Sequence, residues 1–229
     1  QRPGPERGVY LPGPLARFVT SGDRRGLVLY LLVLTKASSG DFEVRLPAAV
    51  WARALGYADP GGRSATSVVS RAWGRLERYG LIERVRRQRR AEIRLLREDG
   101  SGARYTHPGV EKDRHLKLPH PFWTSGPSDD QRWYEELVLP ELAMLLIALS
   151  QGDLFRLTYD DVRPWYGLSP DTAMRGLRGL VARDILQREK RYKSAPLAPL
   201  GYTGEWYYTL RPPFGPRGVI ARAGRETSA

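Results

Sequence analysis

The chain has 229 residues, a formal net charge of +12 and no cysteine, with 41% hydrophobic and 10% aromatic residues. That composition argues against global disorder, excludes disulfides and thiolate metal sites, and fits one large domain or two of ordinary size. So basic a balance favours polyanionic partners, and no apolar run reaches the ~18 residues of a membrane span, since 27–34 ends at Lys36 and 137–149 carries Glu141.

Residues 1–22 are rich in Pro, Gly and Arg and read as a flexible N-terminal arm. The apolar stretch RRGLVLYLLVLTK (24–36) predicts a buried helix, and FEVRL (42–46) alternates as a short strand does. Pro47 opens a helix in which Trp51 and Leu55 share a face. After the turn Asp59-Pro60-Gly61-Gly62, Ser64 is expected to cap a helix running to Tyr79, and Gly80 to stop it. Leu81–Arg87 and Ala91–Leu96 then read as two strands joined at 87–90. Residues 99–128 carry Gly100, Gly102, Pro108, Pro119, Pro121 and Gly126 and read as a linker, with the rings of Phe122 and Trp123 expected to dock on one domain and fix the inter-domain geometry.

The second half repeats this order. LVLPELAMLLIALS (137–150) predicts an apolar helix, Phe155–Leu157 a short strand, and Tyr159–Gly167 a second helix. Ser169-Pro170-Asp171 is a helix start, with Ser as cap, Pro in the first turn and an acid at the positive helix end. That helix is expected to reach Asp184, followed by a strand ILQREKRYK and a return strand over Trp206–Leu210. GRLERYGLIERVRR (74–87) aligns with RGLVARDILQREKR (178–191) at a constant offset of 104, pairing Leu76 with Leu180, Leu81 with Ile185 and Ile82 with Leu186. Such a match predicts an internal duplication. Residues 212–229 read as a C-terminal tail.

The order helix, short strand, helix, helix, hairpin, with RLERYGLIERVRR (75–87) at its end, resembles the recognition helix and wing of the winged helix-turn-helix superfamily. The resemblance implies an α+β, mainly α fold of two tandem winged helix-turn-helix domains, over 23–98 and 129–211, each of three helices with a small antiparallel β wing. The tandem layout is similar to that of twin winged-helix plasmid replication initiators.

The charge is uneven: 23–98 holds 16 Lys+Arg against 8 Asp+Glu, whereas 129–211 holds 11 against 12. At about 100° per residue, Ala65, Val69, Ala72, Trp73 and Leu76 fall on one side of the 64–79 helix. The opposite side holds Arg63, Ser64, Ser67, Ser70, Arg71, Gly74 and Arg78, with no acid. Small hydroxyls allow close approach to a groove floor, and guanidinium groups bind guanine edges or phosphates. The hairpin adds Arg84, Arg86, Arg87, Arg89, Arg90 and Arg94, opposed only by Glu83 and Glu92, with Arg87, Arg89 and Arg90 at its tip. In the second half the equivalent surface offers Arg175 and Arg178 beside Asp171 and Met174, and Lys190, Arg191 and Lys193 on the wing. An auxiliary DNA contact and homodimerisation through this domain are both open there.

Catalytic signatures are not found: no GxxxxGK loop and no GxGxxG after a strand. Tyr159-Asp160-Asp161 reads as a helix first turn stabilised by its dipole, and His107, His115 and His120 lack metal-site spacing. The expectation is therefore a non-enzymatic bacterial protein without cofactor, cytoplasmic and nucleoid-associated, that binds double-stranded DNA as a sequence-specific transcriptional regulator. A plasmid or phage replication initiator, and a protein-interaction scaffold, are the rival readings.

Overall fold

A computed structural model describes residues 13–37, 42–87, 90–106 and 116–215, with only the backbone described at Arg86, Arg87, Arg90 and Ala91. The chain divides into two compact units, Gln1–His115 with Pro164–Leu168, and Leu116–Arg163 with Ser169–Ala229. Both are α+β, each with one small antiparallel sheet of three strands among the described residues.

The first unit runs α1 (Pro14–Thr20), α2 (Arg24–Lys36), β1 (Glu43–Val44), α3 (Ala48–Ala54), α4 (Arg63–Arg78), β2 (Ile82–Arg87) and β3 (Arg90–Leu95). Its sheet has the order β1-β3-β2, with Val44 opposite Ile93 and Ile93 opposite Arg84. The core gathers Leu29 and Val33 of α2, Trp51 of α3, Val69, Trp73 and Leu76 of α4, and Ile82, Ile93 and Leu95 of the sheet. Trp51 and Trp73 meet edge to face at 5.3 Å, a favoured aromatic geometry.

Two local expectations are corrected. Residues 14–20, placed in the arm, form a helix with Pro14 in its first turn. Phe18 is buried against Tyr30 and meets Tyr79 edge to face at 5.3 Å, so one deeply placed ring outweighs the Pro/Gly composition around it. Ser64 is not a cap: α4 starts one residue earlier, Gly62 holds the cap position without a side-chain bond, and Ser64 sits exposed in the first turn. The end of α4 follows expectation. Gly80 takes φ +70°, its N–H bonds Glu77 O at 2.9 Å, and Leu81 N–H bonds Leu76 O at 3.1 Å, which is the Schellman arrangement.

The second half of the chain carries α5 (Pro121–Thr124), α6 (Trp133–Glu136), α7 (Leu139–Leu149), β4 (Leu154–Arg156), α8 (Tyr159–Tyr166), α9 (Pro170–Ala182), β5 (Leu186–Ser194) and β6 (Tyr202–Leu210), with sheet order β4-β6-β5; all belong to the second unit except the last turn of α8, from Pro164 on. Ser169 caps α9 by accepting from Thr172 N–H at 3.1 Å. Gly176 lets α7 and α9 close on one another, since a Cβ there would overlap the Pro140 carbonyl and Met144. β6 begins four residues before the expected return strand, so the hairpin is long.

The two units share three details. Their sheets have equivalent orders. Asp184 sits at the position of Gly80, also left-handed at φ +59°, and the same pair of backbone bonds turns the corner, Asp184 N–H to Val181 O at 3.1 Å and Ile185 N–H to Leu180 O at 2.9 Å. Finally, a carboxylate at the start of the apolar helix holds an arginine from the C-terminal end of the helix packed on it: Asp23 with Arg75, and Glu141 with Arg183.

The ends of the expected linker belong to the units. Tyr105 N–H bonds Leu95 O at 3.1 Å and its ring meets Phe42 at 5.1 Å. Phe122 is fully buried among Trp123 and Tyr134, and the start of the expected tail is likewise packed, with Phe214 on Trp133 at 5.9 Å. Residues 1–12, 107–115 and 216–229 of the arm, linker and tail lie outside the described residues.

Candidate nucleic-acid interface

The face of α4 turned from the core carries Arg63, Ser64, Ser67, Ser70, Arg71 and Arg78, all exposed, while Ala65, Val69, Ala72, Trp73 and Leu76 are all buried. The division follows from an apolar residue every three to four positions. Polar contacts fasten the C-terminal end of this helix. Asp23 receives Arg75 through Nε at 2.6 Å and Nη2 at 2.8 Å. The same carboxylate accepts from Gly26 N–H at 2.9 Å, so it caps α2 while gripping α4. At the same C-terminal end Arg17 donates to Tyr79 O at 3.0 Å, a cation at the negative helix end. Sequence reasoning passed over Arg17 because it treated 1–22 as an arm.

The hairpin arginines divide. Arg84, expected to face DNA, is ion-paired with Glu77 of α4, and its backbone N–H also reaches that carboxylate at 3.3 Å. Strand parity explains this: Arg84 lies opposite Ile93 and two residues from Ile82, both core residues, so it points to the helix side of the sheet. Arg94 is enclosed by Glu43 at 2.5 Å, Glu92 at 3.1 Å and Glu83 at 3.7 Å, and the hydrogen bond to Glu43 raises its pKa above the ordinary value. Arg45 adds a second cation on Glu92 at 2.8 Å. These groups brace the sheet. Arg86, Arg87 and Arg90 occupy the open end of the hairpin, Arg86 opposite Ala91 and Arg87 opposite Arg90. Their side chains, and the whole of Arg89, lie outside the described residues.

In the second unit Arg178, Lys190 and Lys193 are exposed. Arg175 is paired with Asp171 one turn away at 2.9 Å, both about 61% exposed, so the pair is weak and open to exchange. Arg191 bonds Glu189 at 2.9 Å; that bond lowers the carboxyl pKa and raises that of the guanidinium. The hairpin also presents Arg188, Tyr192, Tyr202 and Trp206, which sequence reasoning did not single out. Their signal was the period-two spacing of cations and rings in REKRYK and YTGEWYY.

Among the described residues no helix is long and apolar enough to cross a membrane. Comparison of the chain with protein-family models, with curated proteins and with solved structures finds no match.

Proposed function

We propose that the first unit binds double-stranded DNA as a winged helix-turn-helix domain does, with the outward face of α4 in the major groove and the β2–β3 hairpin on the flanking backbone. The observation that carries this reading is the exposed, carboxylate-free face of Arg63, Ser64, Ser67, Ser70, Arg71 and Arg78 on a helix locked by Asp23–Arg75. Glu77, the one acid on α4, is neutralised by Arg84. Hydroxyls and guanidinium groups on a rigid helix suit base edges and phosphates. The reading extends to sequence-specific regulation of transcription in a bacterial cytoplasm. The second unit repeats the layout with a less basic helix, Arg175 and Arg178 flanking Asp171, and serves as an auxiliary contact or dimer surface.

A second reading, a plasmid or phage replication initiator on origin repeats, is favoured by the shared sheet order and corner of the two units. Selection of bound fragments from a random duplex pool tests the first reading, followed by affinity measured across salt. The slope of log K against log salt is expected near −4 or steeper, for about five phosphates neutralised. Arg71→Ala with Arg78→Ala is expected to weaken binding by about 2 kcal/mol or more. Unchanged affinity in that variant would remove α4 from the interface.

A further inference from the structure

The β5–β6 hairpin outgrows its sheet. β4 pairs with β6 only over Thr209–Tyr207. From Lys190 opposite Trp206 to Ser194 opposite Tyr202, five residue pairs form a ribbon of two strands alone, about 16 Å long at 3.3 Å per residue. Residues directly opposite share a face, so Arg188, Lys190, Tyr192, Tyr202 and Trp206 lie on one side. The three rings there are 65%, 47% and 40% exposed at Tyr192, Tyr202 and Trp206. No carboxylate occupies this side; Glu189 and Glu205 are both on the other, where they bond Arg191 and Arg156.

Cations and rings interleave. The Arg188 guanidinium carbon lies 4.8 Å from the Trp206 ring centre, and Lys190 Nζ lies 5.9 Å from Trp206 and 5.3 Å from Tyr192. Tyr192 and Tyr202 meet edge to face at 5.3 Å. Cross-strand aromatic pairing alone would steady the ribbon, yet it does not account for the exclusion of every carboxylate from the ring-bearing side. A partner that satisfies both features has planar apolar faces to stack on the rings and negative charge at short intervals beside them. Unpaired nucleotides have both; in a duplex the base faces are already stacked on one another.

We infer that this face of the ribbon binds single-stranded DNA, with bases stacked on Trp206, Tyr192 and Tyr202 and phosphates held by Arg188 and Lys190. That the strand is DNA rests on the proposed reading of the first unit; the stacking chemistry does not. Each stack tolerates any base, so the site holds a separated strand without reading its sequence.

The test uses the full chain, a labelled oligothymidine of about 15 nucleotides and a duplex selected for binding, read by fluorescence anisotropy. Tyr192→Ala with Trp206→Ala is expected to lower oligothymidine affinity about tenfold or more and to leave duplex affinity within about twofold, because neither residue belongs to the α4 face proposed to bind the duplex. Trp206→Phe keeps a stacking face and is expected to retain most of the binding, which separates loss of stacking from loss of the ribbon. Arg71→Ala with Arg78→Ala is expected to do the reverse, losing duplex and keeping oligothymidine. Oligothymidine affinity unchanged in the double-alanine variant, or a wild-type chain that binds anionic phosphatidylserine vesicles but no oligothymidine, would overturn the inference. Wild-type binding of oligothymidine without any duplex would overturn only the reading of the first unit.

Discussion

Asp23 serves two elements at once, and its removal is the most direct probe of how α4 is held. Asp23→Ala deletes the cap bond to Gly26 N–H and both bonds to Arg75. A lost cap costs about 1 kcal/mol. A charge-assisted bond contributes about 1.5–3 kcal/mol, and the lower part of that range applies because the Arg75 side chain is 27% exposed and regains water. The sum is about 3 kcal/mol. Arg75→Ala removes only the pair and is expected to cost about 2 kcal/mol. The double variant should then fall short of the sum by about 2 kcal/mol, the pair being lost only once. Urea unfolding followed by circular dichroism measures all three. A loss below about 1 kcal/mol for Asp23→Ala, or additive single changes, would mean that α4 is positioned by its apolar face alone.

Gly176→Ala is expected to destabilise the second unit by about 2 kcal/mol, because the added methyl meets the Pro140 carbonyl and Met144 rather than solvent; thermal unfolding reads the change, and a neutral result would show that α7 and α9 slide apart at little cost. Alkaline pH offers an independent check. Burial raises the Tyr208 phenol from 10.0 to about 12, helped by Tyr159, and burial with Glu135 raises Tyr134 to about 12. Both phenols therefore ionise more easily in the unfolded chain, so stability is intact below pH 10 and is lost as pH rises from 10 towards 12. Tyr208→Phe is expected to flatten that decline in a pH series of urea midpoints, and an unaltered slope would contradict the assignment.

The parts of the fold legible in the sequence are those set by local pattern. The apolar runs of α2 and α7, the cap at Ser169, the stop at Gly80 and the offset of 104 between the halves all depend on neighbours along the chain. What escaped depends on partners far away. α1 is fixed by Phe18 meeting Tyr30 and Tyr79, and nothing within 1–22 announces those rings. Arg84 and Arg94 read as two more members of a basic crowd, but strand register turns one towards Glu77 and surrounds the other with Glu43, Glu83 and Glu92. The outward side of α4 was readable because a helix of sixteen residues fixes its own faces; the ring-bearing side of the β5–β6 ribbon needed the pairing of two strands before its separate cations and aromatics became one surface.

The corner after α4 and after α9 is made by backbone groups alone. Whatever side chains the helix displays, the hairpin leaves it in the direction those two hydrogen bonds impose. The second unit has the same corner even with Asp184 where glycine is easiest, and Arg211 closes on that carboxylate at 2.5 Å. Display and aim are thus separable. A surface of serines and arginines in one unit and a surface holding Met174 and an Asp171–Arg175 pair in the other lead into the same backbone corner, so exchanging outward residues on either helix leaves the bonds that turn the chain into its hairpin untouched.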